Sequence, residues 1–336
     1  MTLSPGYILV VGAGSWGTTL AAMLAEKGFD VLLWAYEKAL VEEINTEKTN
    51  SIYLPDVKLP FDLIATHNIA DAVAYARYIV SAIPTQYIRS VFHRLDTRLR
   101  DEAVIVSVTK GIEIGTLLTP SMVLKETLGR PVSVLSGPSF AREVIDKKPT
   151  AVTLACEDKK TGLLLQELFN TDYFRVYTHD DIIGVEYGGA LKNVCAIASG
   201  ICGGMGFGNN SRAALITRGL SEIARLGICM NARKVTFSGL SGLGDLVLTC
   251  CSSISRNYTV GYKLGQGMKL ADITAQTRQV AEGVATTLAA REISIKHNID
   301  MPITEQVYLT LYEDKPPADA VKDLMSRSLK MEFEGY

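Results

Sequence analysis

The sequence predicts two domains of different class, an α/β domain with a doubly wound, mainly parallel sheet followed by an all-helical domain. Short apolar runs of strand length alternate with helical periods as far as residue 183. From residue 184 onwards the strand pattern disappears and apolar residues recur at helical spacing. A chain of 336 residues is long for one core, so we place the domains at residues 1–183 and 184–336.

The first strand leads into a glycine motif. The apolar run Tyr7–Val11 is followed by GAGSWG at 12–17, and a helical pattern then continues to Gly28. In this strand–turn–helix context, G-x-G-x-x-G is the Rossmann fingerprint, because its glycines permit a tight turn and let a pyrophosphate approach the helix N-terminus. A plain structural turn is the alternative. The motif predicts these dinucleotide-binding residues: Gly12, Gly14, Ser15, Trp16 and Gly17.

The end of the second strand, Val31–Trp34, is the place where this fold reads the adenosine ribose. Glu37 stands near the position at which an acid binds the 2′-hydroxyl of NAD, but it can equally be a solvated loop charge. No arginine precedes it to bind the 2′-phosphate of NADP, and the nearest base is Lys38. The residues alone leave the choice between NADH and NADPH open.

Later strands of the first half also end in polar turns. The run at 103–108 leads into Thr109-Lys110-Gly111, and the run at 132–135 leads into SGPSFA at 136–141. Ligands of a doubly wound sheet bind outside the carboxyl ends of its strands. Lys110 is therefore placed to meet an anionic or carbonyl group, while Gly137 and Ser139 offer close backbone approach and a hydroxyl. A surface lysine and a plain Gly-Pro turn are the alternatives.

The second half opens with an apolar helix that contains a single charge. Between Tyr187 and Ser211 the only formally charged residue is Lys192. A lysine in such a helix is costly unless its ammonium has a partner, so a functional lysine competes with one that snorkels to the surface. Its neighbours at helical spacing are all small, which predicts open space around it: Gly188, Gly189, Ala196 and Ser199. A glycine-rich connector is expected to follow at 203–208.

Three short motifs in the second half carry polar groups that suit chemistry. Asp245 follows two glycines, and Ser255-Arg256-Asn257 precedes a helix. Asp245 and Ser255 can each be a helix N-cap. A hydroxyl, a guanidinium and an amide beside a helix N-terminus would also make a strong phosphate site. The third motif, at 280–284, places Glu282 before a glycine.

Composition limits the remaining classes. A net charge of −2 argues against a general nucleic-acid surface. Six cysteines without a C-x-x-C pair favour reduced thiols in a cytoplasmic protein, and four dispersed histidines give no metal-ligand spacing. The N-terminus lacks a basic region before its apolar run, so no signal peptide is expected. The run around Lys192 is broken by glycines and a charge, so no membrane span is expected either.

Seven motifs stand in order along the chain: GAGSWGT at 12–18, TKG at 109–111, SGPSFA at 136–141, ALKN at 190–193, GLGDL at 242–246, SRN at 255–257 and AEGV at 281–284. Together they resemble bacterial-type NAD(P)-dependent glycerol-3-phosphate dehydrogenase over nearly the whole chain. The resemblance implies a Rossmann domain and a helical domain. It also implies reversible reduction of dihydroxyacetone phosphate to sn-glycerol 3-phosphate with NADPH or NADH, for phospholipid synthesis.

The resemblance also implies residue roles. Lys192 would be the proton donor and acceptor, with Lys110 and Asp245 as further catalytic residues. The implied substrate-binding positions are Lys110, Gly137, Ser139, Lys192, Asp245, Ser255, Arg256 and Asn257. The implied cofactor positions are Ser15, Trp16, Tyr36, Lys110, Ala141, Arg256, Val280 and Glu282. Many relatives carry a basic residue where this chain has Tyr36, so a strict preference for NADP is not implied.

The chemistry adds two expectations about Lys192. Repulsion by Lys110, together with burial, is expected to lower its pKa. The small residues around it are expected to leave room for substrate and nicotinamide.

Two other classes compete with this interpretation. A two-domain hydroxyacid or ketopantoate-type reductase would place a lysine on the interdomain helix, but a carboxylate substrate would not need the Ser255-Arg256-Asn257 phosphate site. A non-catalytic dinucleotide sensor would have little reason to keep Lys110, Lys192 and Asp245 together. The amphipathic helices of the second half allow a homodimer, although the sequence does not determine the oligomeric state.

Overall fold

A computed structural model of the protein describes residues 6–95, 98–276, 280–329 and 331–332. Within them, one eight-stranded sheet has the order β3-β2-β1-β4-β5-β6-β7-β8. Neighbouring strands are parallel except β6 and β7, which pair antiparallel. The strands are β1 (Ile8–Val11), β2 (Val31–Trp34), β3 (Ile64–Thr66), β4 (Tyr78–Ser81), β5 (Val104–Ser107), β6 (Val132–Ser136), β7 (Thr150–Ala155) and β8 (Phe174–His179). The first six follow the Rossmann order, so the predicted mainly parallel, doubly wound sheet is confirmed.

Helices cover both faces of this sheet. They are α1 (Ser15–Glu26), α2 (Lys38–Glu47), α3 (Ile69–Ala74), α4 (Ile88–Phe92), α5 (Pro120–Leu128), α6 (Ala141–Ile145) and α7 (Lys159–Phe169). Alternate residues of β1 face opposite sides. Val10 packs in the same cluster as Leu20 of α1, and Leu9 packs in the cluster that contains Phe92 of α4. The period of two thus builds two apolar layers around a buried sheet.

The second half is helical throughout its described part. Its helices are α8 (Ile182–Gly204), α9 (Asn209–Cys229), α10 (Asp245–Cys250), α11 (Arg256–Gly265), α12 (Leu270–Ala275), α13 (Glu282–Lys296), α14 (Pro302–Tyr312) and α15 (Pro317–Met325). A 3₁₀ turn (Lys234–Ser238) and a π turn (Leu240–Gly244) precede α10. The all-helical class of this half is confirmed. The boundary between residues 183 and 184 stays a prediction, since α8 packs both on β6 and β7 and on the later helices.

The long helix α8 is the centre of the helical half. Asp181 caps its N-terminus by accepting a hydrogen bond from the Gly184 amide at 2.9 Å. Every residue of α8 from Gly184 to Ile201 is buried. A helix buried on all sides can be apolar all round, which explains why its sequence shows one formal charge after Glu186.

Glycines let α11 lie directly against α8. A Cβ at Gly200 would collide with the carbonyl oxygen of Tyr258, and one at Gly261 would collide with the carbonyl oxygen of Ile197. The same packing overturns part of the connector expected at 203–208. Gly203 and Gly204 continue α8, because α11 packs closely against that turn through Tyr258 and Tyr262.

A buried glutamate joins α8 to the sheet domain. The carboxylate of Glu186 accepts hydrogen bonds from the Ser121 amide at 2.8 Å and from the hydroxyls of Thr119 and Ser121 at 2.5 Å. These donors lie at the N-terminus of α5, where a carboxylate is favoured by the helix dipole. Burial nevertheless raises the pKa of Glu186 above its usual range, against the effect of its donors.

The α8–α11 contact yields a stability prediction. Gly200→Ala should lower the free energy of unfolding by about 1–3 kcal/mol, since the new methyl meets rigid backbone. The matched control is Gly162→Ala in α7, where the methyl would lie 3.4 Å from the Cβ of Cys156. That control should leave stability within about 1 kcal/mol of the original chain or raise it. Urea unfolding of both variants measures the difference, and equal stabilities would contradict direct helix contact.

Candidate active site

A cleft of about 1050 Å³ lies between the carboxyl ends of the strands and the helices of the second half. Most of the site residues expected from the sequence line it: Gly12, Gly14, Ser15, Trp16, Tyr36, Lys110, Ser139, Ala141, Lys192, Ser255, Arg256, Asn257, Val280 and Glu282. Gly17, Gly137 and Asp245 are not part of the lining. The fold therefore brings residues from both halves of the chain to one cavity.

The glycine turn after β1 forms one end of the cleft. Gly12 has φ of +117°, and a Cβ there would lie 2.8 Å from Cγ2 of Ile83. A Cβ at Gly14 would meet nothing within 4 Å, so this position opens onto the cleft. Gly17 has a packing task, because a side chain there would collide with the carbonyl oxygen of Gly12.

The helix that follows this turn suits an anion. No side chain caps the N-terminus of α1 at Gly14, so its first amide groups keep their donors for a ligand. Free amides and the helix dipole together bind phosphate groups. The turn therefore fits the pyrophosphate of a dinucleotide.

The centre of the cleft contains a cluster of three charges. Lys192 donates a hydrogen bond of 2.8 Å to Oδ1 of Asp245, and Lys110 donates one of 2.6 Å to Oδ2 of the same carboxylate. Lys110 comes from the turn after β5, Lys192 from α8 and Asp245 from the first position of α10. The side chain of Asp245 is 1% exposed. Asp245 is therefore an ion-pair residue, and the N-cap position of α10 belongs to Gly244.

The pKa values of this cluster depend on burial and on charge. Burial is the largest effect on Lys192 and lowers its pKa to about 8; Asp245 opposes the shift and Lys110 adds to it. The expected repulsion between the two lysines is thus present. Burial raises the pKa of Asp245, but the two ammonium groups outweigh it and hold that pKa below its usual value.

Each lysine keeps one donor for a ligand. The Lys192 ammonium uses two of its three N–H groups, on Asp245 and on the hydroxyl of Thr249 at 2.7 Å. The Lys110 ammonium uses two, on Asp245 and on the carbonyl of Gly137 at 2.8 Å. Because both side chains line the cleft, their remaining N–H groups are available to an oxygen atom bound there.

The glycines beside Lys192 do not supply the expected space. A Cβ at Gly188 would lie 2.7 Å from the carbonyl oxygen of Ser241, and one at Gly189 would lie 2.6 Å from Oγ of Ser136. Protein atoms already fill these positions, so the expectation that they hold substrate is wrong. The small residues instead let the π turn and the Lys110 segment approach α8.

The start of α11 forms the other end of the cleft. Ser255 caps this helix by accepting a hydrogen bond from the Tyr258 amide at 3.2 Å, as one of its two interpretations predicts. Arg256 lines the cleft and donates a hydrogen bond of 3.0 Å to the carbonyl of Val280. Its guanidinium has five N–H donors, so it retains capacity for a phosphate.

Asn257 has a structural task at this end of the cleft. Its Oδ1 accepts from the Gly283 amide, and its Nδ2 donates to Oδ1 of Asn193, both at 2.9 Å. These bonds fix the start of α13 and the side chain that follows Lys192. One amide N–H of Asn257 remains for a ligand.

Glu282 joins the helical half to the sheet domain. Its Oε1 accepts a hydrogen bond of 2.9 Å from the Thr85 amide, in the turn after β4. Its Oε2 is buried and has no partner among the described residues. Burial raises the pKa of Glu282 to about 7, against the effects of Thr85 and Arg256. The Thr85 hydroxyl is likewise buried without a partner and lies beside Oε2 at Gly111, so the carboxylate has a neighbouring donor in the chain as well as access to the cleft.

Comparison with known proteins shows the family to which the chain belongs. The family described as NAD-dependent glycerol-3-phosphate dehydrogenase matches with its N-terminal part at residues 7–162 and with its C-terminal part at residues 181–322. A curated protein of Geobacter sulfurreducens named glycerol-3-phosphate dehydrogenase (NAD(P)+) is 52% identical over 327 residues, which cover 96% of this chain and 98% of that protein. The chain belongs to the NAD-dependent glycerol-3-phosphate dehydrogenase family. The resemblance drawn from the seven motifs is confirmed.

Solved structures agree with membership of the glycerol-3-phosphate dehydrogenase family. The crystal structure of glycerol-3-phosphate dehydrogenase from Coxiella burnetii is 40% identical with a TM-score of 0.92, covering 96% of this chain and all of that one. A ketopantoate reductase from Ralstonia eutropha is 16% identical with a TM-score of 0.62, covering 94% of this chain and 99% of that one. The rival reductase class therefore shares the fold, while the family models and the 52% identical relative assign this chain to the dehydrogenase family.

Two residues of the cleft were not expected from the sequence. Thr249 accepts the second hydrogen bond of Lys192 and donates one of 2.6 Å to the carbonyl of Asp245. Its position four residues after Asp245, on one helix face, was a usable signal. Asn193 lines the cleft, and its Oδ1 accepts a hydrogen bond from Nδ2 of Asn257. The two residues are 64 positions apart, so no local pattern predicts this pair.

The described part of the chain shows neither a membrane-spanning helix nor a metal-binding cluster. None of its helices has both the length and the apolar character required to cross a bilayer. In the same residues, no group of three or more His, Cys, Asp or Glu side chains is arranged to hold a metal ion.

Proposed function

We propose that this chain catalyses the reversible, NAD(P)H-dependent reduction of dihydroxyacetone phosphate to sn-glycerol 3-phosphate. One observation carries the proposal: Lys192, buried and paired with Asp245, keeps an N–H group for a cleft that has a dinucleotide turn at one end and Arg256 at the other. A product of this kind feeds glycerophospholipid synthesis.

The cofactor would be held by the turn after β1 and by the start of α13. The amides at the N-terminus of α1 would bind the pyrophosphate beside Gly14. Glu282, which lines the cleft at the start of α13, would accept a hydrogen bond from the carboxamide of the nicotinamide. Tyr36, Ala141 and Val280 would line the remaining wall. The bound dinucleotide supplies the hydride.

Lys192 would act on the ketone oxygen. Negative charge develops on that oxygen as the carbonyl carbon is reduced, and the remaining N–H of the Lys192 ammonium stabilises the charge and then supplies a proton. Asp245 and Thr249 would hold the ammonium in place. The remaining N–H of Lys110 would bind the same oxygen or a neighbouring hydroxyl of the substrate, in company with Ser139.

Arg256 would bind the phosphate, together with the N-terminus of α11 and the remaining amide hydrogen of Asn257. A guanidinium binds phosphate through two donors, and Ser255 keeps the helix end in place. This contact lies away from the reacting carbon, so its binding free energy serves to position the carbonyl near Lys192.

Two accompanying expectations stay predictions. A homodimer built from the helical half and a cytoplasmic location are compatible with the reaction, and size measurement and fractionation of cells would test them.

Removal of the Lys192 ammonium should stop the chemistry. Lys192→Ala should lower turnover by about 10²- to 10⁴-fold, the range for loss of a positioned acid, and leave dinucleotide binding nearly intact. Steady-state reduction of dihydroxyacetone phosphate and cofactor fluorescence measure the two effects. Lys296→Ala, which removes an exposed lysine from α13, serves as the control and should behave like the original chain. Substantial reduction by the Lys192 variant would remove it from the mechanism.

Replacement of Arg256 should impair the reaction of a phosphorylated substrate more than that of an unphosphorylated one. Arg256→Ala should reduce kcat/KM for dihydroxyacetone phosphate by about 10- to 100-fold, the cost of a charged hydrogen bond. Unphosphorylated dihydroxyacetone provides the matched comparison, because it lacks the group that Arg256 would bind. An equal loss for both ketones would argue against phosphate recognition by this residue.

The Lys192 pKa of about 8 predicts opposite pH profiles in the two directions. The ammonium is the form that donates a proton, so kcat/KM for ketone reduction should fall as pH rises through about 8. The neutral amine accepts the proton in the reverse direction, so oxidation of glycerol 3-phosphate should increase over the same interval. Asp245→Asn removes the charge that raises this pKa and should move both midpoints to lower pH. If the rates of reduction and of oxidation changed with pH in the same sense, Lys192 would not be the proton donor and acceptor.

A further inference from the structure

The cleft has an acidic corner after β2 that the proposed chemistry does not use. Glu37 occupies the N-cap position of α2, but its side chain does not cap that helix. Its Oε1 accepts a hydrogen bond of 2.8 Å from the hydroxyl of Tyr53 instead. Both residues line the same cleft as the glycine turn after β1. The carboxylate is therefore turned away from its own helix and held at the cleft wall.

A chain of hydrogen bonds fixes this carboxylate relative to the glycine turn. The Tyr53 amide donates to Oδ1 of Asn50 at 3.0 Å. Nδ2 of Asn50 donates at 2.8 Å both to the carbonyl of Ala13 and to the hydroxyl of Thr18. Asn50 is 1% exposed, so these bonds are shielded from water. The positions of the pyrophosphate turn and of the Glu37 carboxylate are thus linked through Asn50 and Tyr53.

No cation neutralises this corner in the described part of the chain, where Glu37 has no ion pair. The cations of the cleft lining are Lys110, Arg142, Lys192 and Arg256. Lys110 and Lys192 belong to the central cluster, and Arg256 lies at the start of α11. Arg142 donates to Asp146 at 3.3 Å and to the carbonyl of Pro55 at 3.0 Å. The end of β2 therefore presents a carboxylate without a paired base.

We propose that Glu37, positioned by Tyr53, makes this chain select NADH over NADPH; this inference rests on the dinucleotide site of the proposed function. The 2′-hydroxyl of the NADH ribose would donate a hydrogen bond to Oε2 of Glu37, the carboxylate oxygen that Tyr53 does not bind. The 2′-phosphate of NADPH brings acceptor oxygens and negative charge to the same place. Like charges at contact repel, so the Glu37 carboxylate weakens the binding of NADPH as well as strengthening the binding of NADH.

The test compares dissociation constants of the two reduced cofactors, measured by nucleotide fluorescence without substrate. The unchanged protein should bind NADH at least about tenfold more tightly than NADPH. Glu37→Gln keeps the shape and removes the charge, so NADPH should gain affinity and the ratio should fall several-fold. Tyr53→Phe removes the hydroxyl that positions the carboxylate and should narrow the ratio by a smaller amount. Structural damage alone would weaken both cofactors and leave their ratio unchanged.

Glu47→Gln is the matched control, because it makes the same charge change at the other end of α2. An equal effect on the ratio from Glu47→Gln would overturn a local role for Glu37. Tighter binding of NADPH than of NADH by the unchanged protein would also overturn the proposal. If Arg142→Gln then abolished the preference for NADPH, recognition of the 2′-phosphate would be assigned to Arg142. Turnover separates this inference from the proposed function. Equal use of both cofactors in ketone reduction defeats the selection alone, whereas NADH preference without any reduction defeats the reaction alone.

Discussion

The structure depends on a buried carboxylate shared by two ammonium groups. Asp245 binds Lys110 across 135 positions and Lys192 across 53 positions of sequence, so this contact can form only when both halves of the chain are folded. Burial of one charge is costly, and opposite charges with good geometry offset that cost. Two cations around one anion leave the cluster with an excess positive charge. A bound oxyanion would balance it, which is the property expected of a site that stabilises a developing alkoxide.

The scaffold that holds this cluster is α8. Glu186 ties the start of the helix to α5, and Lys192 lies less than two turns further along. Glycines bring α11 into backbone contact with the second part of α8, which also fixes the start of α11 and Arg256. Glu282 adds a bond from α13 to the turn after β4. Movement of one wall of the cleft therefore requires rearrangement of buried polar contacts, rather than rotation about a loose linker.

The fold and the family could be predicted from the sequence because both depend on patterns of residues that are close together in the chain. The apolar run before Gly12 and the helical spacing after it define a βα unit within about thirty residues. Lys192 was recognisable because one charge stands in an apolar helix. The partners of that lysine are harder to predict, since Asp245 also allows an N-cap interpretation and the only signal of Thr249 is its spacing of four residues from Asp245. Tertiary packing decides what surrounds a residue, so the small size of Gly188 and Gly189 does not by itself produce open space. The link from Asn50 through Tyr53 to Glu37 had no signal in the spacing of the residues.

The glycine contact between α8 and α11 has a consequence for substrate size. Gly200 and Gly261 leave no side chain between the two helices, so their backbones are in direct contact. This contact holds the distance between Lys192 and Arg256 constant. In the proposed binding mode, a phosphorylated ketone of the right length would span this distance with its carbonyl at the ammonium and its phosphate at the guanidinium. A homologue longer by one carbon can satisfy one end at a time. Discrimination between chain lengths would then arise in the rate of reaction more than in the strength of binding, because misaligned substrates would remain bound through their phosphates.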